Sequence, residues 1–272
     1  MASVGPLLKH WRGVRGTSQL ALASEARTTP RYVSFVETGR AQPSRQMVVR
    51  LAKALDLPLR ERNDLLLAAG FAPLYAAEPL ASPAMASVER ALESMLARHD
   101  PLPAVVLDRG WNLMRANRGA EVLFTQIFAP IDPPADANVL RLFIEDGPVR
   151  ASVTNWEHVA PTLLTRARRE AVGRVFDPAT ARLVDELGAR DDVRRAATGV
   201  ELEASAAPVI DVHFRVAGVE LAFFSVVSTI GTPIDVTAQE LRVESFFPAD
   251  EETAARWMQL VSERSVEAHA TT

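Results

Sequence analysis

Ser18–Leu57, SQLALASEARTTPRYVSFVETGRAQPSRQMVVRLAKALDL, is the stretch that decides the architecture of the amino-terminal end. Ser18 stands where an N-cap belongs, ahead of a helix that turns Leu22, Ala23 and Ala26 inward. After a short break at Arg27-Thr28, Thr29-Pro30 opens a second helix. The hydroxyl caps it, and proline takes the first position, where no N–H partner is needed. Val33 and Val36 face inward and Gly39 ends the helix. Pro43-Ser44 begins another, with Val48, Leu51, Ala52 and Leu55 on its buried stripe.

Working outward, Gly5–Arg15 forms a preceding helix with Leu7, Leu8, Trp11 and Val14 on one side, and Leu59–Ala69 a following one closed by Gly70. Two short helices joined by a tight turn let the second project from the body. A major groove admits one such helix, whose leading side chains reach base edges. Thr29, Pro30, Arg31, Ser34 and Phe35 are the expected reading face, with Arg31 suited to a guanine edge and Phe35 to a thymine methyl. Gln19, Arg40, Ser44 and Arg45 fall at helix starts and turns, where phosphates are held. Charge agrees. Residues 1–70 hold 11 Lys and Arg against 5 Asp and Glu, and the remaining residues hold 19 against 29, so a basic end sits on an acidic body. The expected partner is a double-stranded DNA operator, read by a homodimer over two half-sites.

The matching positions Ser18-Gln19, Leu22-Ala23, Ser34, Glu37, Gly39-Arg40, Pro43-Ser44 and Leu51-Ala52 resemble the XRE (Cro/C1-type) regulators. That resemblance implies a five-helix lambda-repressor-like domain over residues 1–70. It implies DNA contact by Gln19, Thr29, Arg31 and Phe35, and a structural pairing of Glu37 with Arg12. One departure is Arg27, which occupies a turn position where the family commonly has Gly.

A Pro-rich stretch, residues 71–83, reads as a linker or extended wrap, since Pro73, Pro79 and Pro83 forbid a long helix. From Ala104 the period changes. Val105–Leu107 and Trp111–Ala116 read as strands, Asn117 caps a helix, and Val139–Phe143 is a further apolar segment. Asn155–Glu170 and Asp177–Leu187 read as helices. Val209–Val216, Val219–Thr229 and Glu240–Phe247 read as strands, with Ala217-Gly218 as a hairpin turn. The expected whole is α+β: an all-helical amino-terminal domain, then a PAS-like antiparallel sheet flanked by helices over residues 84–260.

Asp108-Arg109, Trp111-Asn112, Asn117-Arg118, Asn138–Leu142, Asn155-Trp156, Phe223–Ser225, Gly231–Pro233 and Leu241–Pro248 resemble the ligand-binding domain of MmyB-like regulators. The resemblance implies a fatty acid or similar lipid-like molecule as ligand. Such a ligand needs an apolar slot and one group for its carboxylate. Trp111, Leu123, Phe124, Leu140, Phe143, Trp156, Phe214 and Phe223 suit the lining, and Arg141, with Asn155 and Arg115 behind it, suits the anchor. Any one of these apolar residues is more readily an ordinary core residue, and Arg141 is more readily a surface or ion-pair residue than an anchor.

Zero Cys excludes disulfides and thiolate metal sites and fits a reducing cytoplasm. No signal peptide or bilayer-spanning apolar run is present, so no membrane partner is expected. His10, His99, His158, His213 and His269 are scattered, and no HExxH, phosphate-cradling glycine loop or GxSxG occurs. No catalysis, no metal and no cofactor are expected, with a bound fatty acid the one small molecule. Asp191-Asp192 reads as a solvated, loop-like charged run. The competing expectation is a constitutive DNA-binding repressor whose carboxy-terminal domain only dimerises or binds a protein.

Overall fold

The computed structural model describes residues 3–131, 133–134, 136–169, 178–202 and 211–270. They form two compact units: residues up to Ser82 together with Thr232–Gln239, and Pro83–Gly231 together with the residues from Glu240 onward. Among the described residues, no helix is long and apolar enough to cross a membrane.

The first unit contains α1 (Val4–Val14), α2 (Gln19–Glu25), α3 (Pro30–Glu37), α4 (Arg45–Ala54) and α5 (Leu59–Ala68). The hydroxyls read as caps act as caps. Ser18 Oγ accepts from Ala21 N at 3.1 Å, Thr29 Oγ1 from Tyr32 N at 3.2 Å and Ser44 Oγ from Met47 N at 3.3 Å. Leu8, Leu22, Val33, Val36, Val48, Leu51 and Leu65 make the core. Val14, expected on the buried stripe of α1, is 49% exposed; Val4 is buried instead. The turn between α2 and α3 is made without glycine, because Arg27 itself takes the left-handed conformation at φ 52°. Gly5 lets α1 lie directly on the end of α3: a Cβ there would stand 2.5 Å from the Val36 carbonyl oxygen. The stretch after α5 wraps back on it. Asn63 Oδ1 accepts from Leu74 N and Tyr75 N, and its Nδ2 donates to Tyr75 O, so residues 74–75 are held and do not hang as a free linker.

The second unit is built on a five-stranded antiparallel sheet: β1 (Ala104–Leu107), β2 (Leu113–Ala116), β3 (Val212–Val216), β4 (Val219–Thr229) and β5 (Arg242–Pro248), in the order β2-β1-β5-β4-β3. Pairs such as Val106↔Val243 and Phe223↔Pro248 set the register. Its helices are α6 (Ala86–His99), α7 (Arg118–Phe128), α8 (Val139–Ile144), α9 (Pro148–Ser152), α10 (Trp156–Arg169), α11 (Pro178–Gly188) and α12 (Asp191–Leu202), with α14 (Glu251–Ala270) after β5; the short α13 (Val236–Glu240), between β4 and β5, falls within the first unit up to Gln239. This is the α+β, PAS-like arrangement expected from the strand and helix order. One core gathers residues of both sheet and helices, including Trp111, Leu140, Phe143, Leu164, Phe214, Phe223 and Trp257.

Two expectations change. The Asp191-Asp192 run is the first turn of α12, where acidic residues complement the helix N-terminus. Asp192 accepts from its near neighbour Arg190 at 3.1 Å and from Arg150 at 2.7 Å, the latter a contact from elsewhere in the fold that a solvated loop would lack. Burial pushes its carboxyl up, but these hydrogen bonds outweigh burial and hold it well below the usual range. The strand expected over 209–216 begins at Val212, and residues 209–210 lie outside the described residues, as do 170 and 177 at the ends of two expected helices.

Ala217 (φ 50°) and Gly218 (φ 80°) are both left-handed in the β3–β4 hairpin, as a two-residue turn of this type needs. Alanine pays a steric penalty there that asparagine largely avoids. Ala217→Asn should raise the stability of this unit by about 0.5–1 kcal/mol, read from the urea midpoint.

Candidate functional site

On the first unit, Thr29, Pro30 and Arg31 are exposed at the leading end of α3, with Ser34 and Phe35 half-buried one turn on. The Arg31 guanidinium lies 5.2 Å from the Phe35 ring centroid, so these two expected base-reading side chains form one patch. Arg40 and Arg45 are exposed, after α3 and at the start of α4. The hydroxyl oxygens of Thr29 and Ser44 accept from Tyr32 N and Met47 N as caps, and each O–H still has its proton to donate.

Glu37 holds this face in place. It is 7% exposed and accepts from Arg12 Nε at 2.6 Å, Arg12 Nη2 at 3.1 Å and Gln19 Nε2 at 2.7 Å. One carboxylate thus ties α1, α2 and α3 together. The Arg12–Glu37 pair implied by resemblance is present. The bond to Gln19 is additional, and it places one of the expected DNA-contacting side chains in the scaffold of the site.

In the second unit, Trp111, Leu123, Leu140, Phe143, Phe214 and Phe223 are brought together in one apolar cluster, with Phe124 and Trp156 packed partly buried against it. Trp156 Nε1 donates to Phe143 O at 2.7 Å, and Arg150 stacks 3.8 Å over its ring. An open depression of about 550 Å³, lined by Arg150, Ala151 and residues 154–158, lies beside it. Asn155 is engaged with the backbone of β3 and the residue before it. Its Nδ2 donates to Asp211 O and its Oδ1 accepts from His213 N, which pins the start of the strand.

Arg141 is not in this interior. Its side chain is 43% exposed and pairs with Glu145 and Glu186. It is the third residue after the cap Asn138, and the rotation of α8 that buries Leu140 and Phe143 carries it outward. Arg115 likewise meets Glu89 at 2.9 Å. The guanidinium groups that meet the apolar cluster are others. Arg242, 7% exposed, stands 4.0 Å from the Trp111 ring centroid, and Arg166 stands 5.3 Å from it. Arg166 Nη1 donates to Glu244 Oε1 at 2.6 Å and to Ser225 Oγ at 3.3 Å, and Arg109 pairs with Glu240 at 3.0 Å.

Trp111 itself is 1% exposed with φ 67°, a strained backbone for a bulky side chain. The surrounding turn over-determines it. Asp108 accepts from the backbone and side chain of Asn112, Asn138 donates to Gly110 O and Asn112 Oδ1, and Val139 N donates to Trp111 O. Sequence reading missed Arg166 and Arg242. The available signal was the opposite charge of Arg242 and Glu244, two apart on one face of an otherwise apolar strand. Among the described residues, no cluster of three or more His, Cys, Asp or Glu could hold a metal ion.

A helix-turn-helix domain model matches residues 3–65, and the model of the MmyB-like transcription regulator ligand binding domain matches residues 88–260. No curated protein matches the chain. With the ligand-domain match spanning more than half of the chain and the helix-turn-helix at its amino end, the protein belongs to the MmyB-like transcription regulators.

Proposed function

We propose that this regulator binds a specific DNA operator as a homodimer in the cytoplasm, and that a fatty acid or similar apolar acid held in the MmyB-like domain alters its DNA affinity. The observation that carries the ligand reading is a pair of guanidinium groups, the buried Arg242 and the part-buried Arg166, set against Trp111 beside a continuous apolar cluster. That combination suits a carboxylate head with an alkyl tail. Trp111, Leu123, Phe124, Leu140, Phe143, Trp156, Phe214 and Phe223 are the proposed lining. A ligand that prefers one state of the domain shifts the population toward it, and with it the affinity for DNA.

The test is mass spectrometry of a denaturing extract of the purified protein, with thermal melts in palmitate. A co-purified lipid or a palmitate-dependent rise in Tm supports the sensor. Absence of both supports the second reading, a constitutive repressor whose carboxy-terminal domain dimerises or binds a protein. The near-complete burial of Leu107, Trp111, Leu140, Phe214 and Phe223 favours that reading.

For the DNA face, Arg31→Ala should cost about 1–3 kcal/mol of operator binding and relax preference at one base pair. Arg40→Ala should weaken all duplexes alike and flatten the salt dependence, its slope falling by about one. Both are read by fluorescence anisotropy over a salt series. Unchanged affinity and preference in Arg31→Ala would mean that α3 does not read bases through this residue.

A further inference from the structure

The connection between β4 and β5 leaves its own sheet. Thr232–Gln239 belongs to the amino-terminal unit, whereas Gly231 and Glu240 on either side belong to the sheet unit. Within the first unit the segment is fastened at three points. Val236 N donates to Ala76 O at 2.8 Å, Glu78 N to Asp235 Oδ2 at 3.1 Å, and Leu59 N to Gln239 Oε1 at 2.7 Å. Val236 and Ala238 are 1% and 3% exposed.

The third bond is the telling one. Leu59 is the first residue of α5, and Pro58 at its N-cap position offers no side-chain acceptor. Gln239, 180 residues further along the chain, supplies the missing cap. Asp235 serves twice, since its second oxygen, Oδ1, accepts from Ala238 N and caps α13.

The segment also leads straight to the charged cluster. Glu240, next to Gln239, pairs with Arg109, with 10% and 11% of the two side chains exposed. Leu241 is 2% exposed, and Arg242 is the residue over Trp111. Between the cap of α5 and the guanidinium over Trp111 there are only two residues, both anchored, so there is little slack to absorb a shift at either end.

We propose that Thr232–Gln239 is a strap through which the state of β4, β5 and the Trp111 cluster reaches α5, and through which DNA binding is felt in the strands. The proposal rests on the reading that the ligand domain regulates DNA binding, and linkage makes the coupling reciprocal. DNA alone therefore suffices as the probe.

The experiment is hydrogen–deuterium exchange of the full chain, with and without a duplex that the protein has selected from a random pool. In the wild type, saturating duplex should change exchange at Leu59, and in residues 226–231 and 240–246, by at least about threefold. Gln239→Ala should exchange faster at Leu59, by roughly fivefold, as expected for a lost cap. It should still bind the duplex and lose the response in the strands. Gln239→Glu keeps an acceptor oxygen and should keep that response. Strands that answer DNA equally in Gln239→Ala, or not at all in the wild type, overturn the strap. Palmitate is a separate arm: if it leaves wild-type DNA affinity unchanged while the DNA-dependent exchange persists, the fatty-acid reading fails and the strap stands.

Discussion

Glu37→Ala should destabilise the helix-turn-helix unit by about 3 kcal/mol, read as an earlier urea transition in far-ultraviolet circular dichroism. The loss exceeds that of an exposed ion pair because the carboxylate side chain is 2% exposed and the Arg12 side chain 18%. Truncation strands the Arg12 guanidinium and the Gln19 amide, both part-buried, without their acceptor. The partial exposure of Arg12 sets the figure at the low end for a broken buried pair.

A pH dependence follows. Burial pushes the Glu37 carboxyl up, but hydrogen bonds from Arg12 and Gln19, with the Arg12 charge, outweigh it and hold the group below its ordinary range. A carboxyl whose folded value is depressed contributes its full stability above the ordinary carboxyl value and loses it as pH falls through the folded one. The stability gap between wild type and Glu37→Ala should therefore be constant at neutral pH and narrow in acid. A gap independent of pH down to the acid transition would show that the carboxylate charge is not what is lost.

Trp257→Ala should cost the ligand-binding unit about 3–5 kcal/mol. The side chain is fully buried, stands edge-on to Phe223 with centroids 5.6 Å apart, and donates from Nε1 to Pro101 O at 2.9 Å. It fastens α14 against the sheet. Truncation leaves both a cavity and an unsatisfied carbonyl. Trp257→Phe should lose less, because it fills most of the volume and gives up only the N–H bond. The measurement is the urea midpoint of this unit's transition. A cost under about 1 kcal/mol for Trp257→Ala would mean that α14 is not integral to the domain.

The amino-terminal unit was legible because its signals are local. A hydroxyl at an N-cap bonds an amide two or three residues on, and Ser18, Thr29 and Ser44 each do so. Alternation likewise revealed β3, and Ala217-Gly218 revealed the hairpin turn that joins it to β4. Legibility ended where a residue's partner is distant. Asp192 looked solvated in sequence because Arg150 is 42 positions away. Arg141 looked enclosed because Leu140 and Leu142 flank it, yet helix rotation faces it toward Glu145 and Glu186. Trp257, near the end of the expected domain, carried no periodic signal that would single it out as a core anchor.

By itself the sequence determined the helix-turn-helix and the succession of strands and helices along the chain, since these follow from period, capping and turn chemistry within a few residues. Only the tertiary structure decided which guanidinium groups face Trp111, that Gln19 shares the Glu37 carboxylate, and that Gln239 caps α5. Those depend on which surfaces the chain brings together across tens to hundreds of residues, and the local spacing of side chains carries no record of that choice.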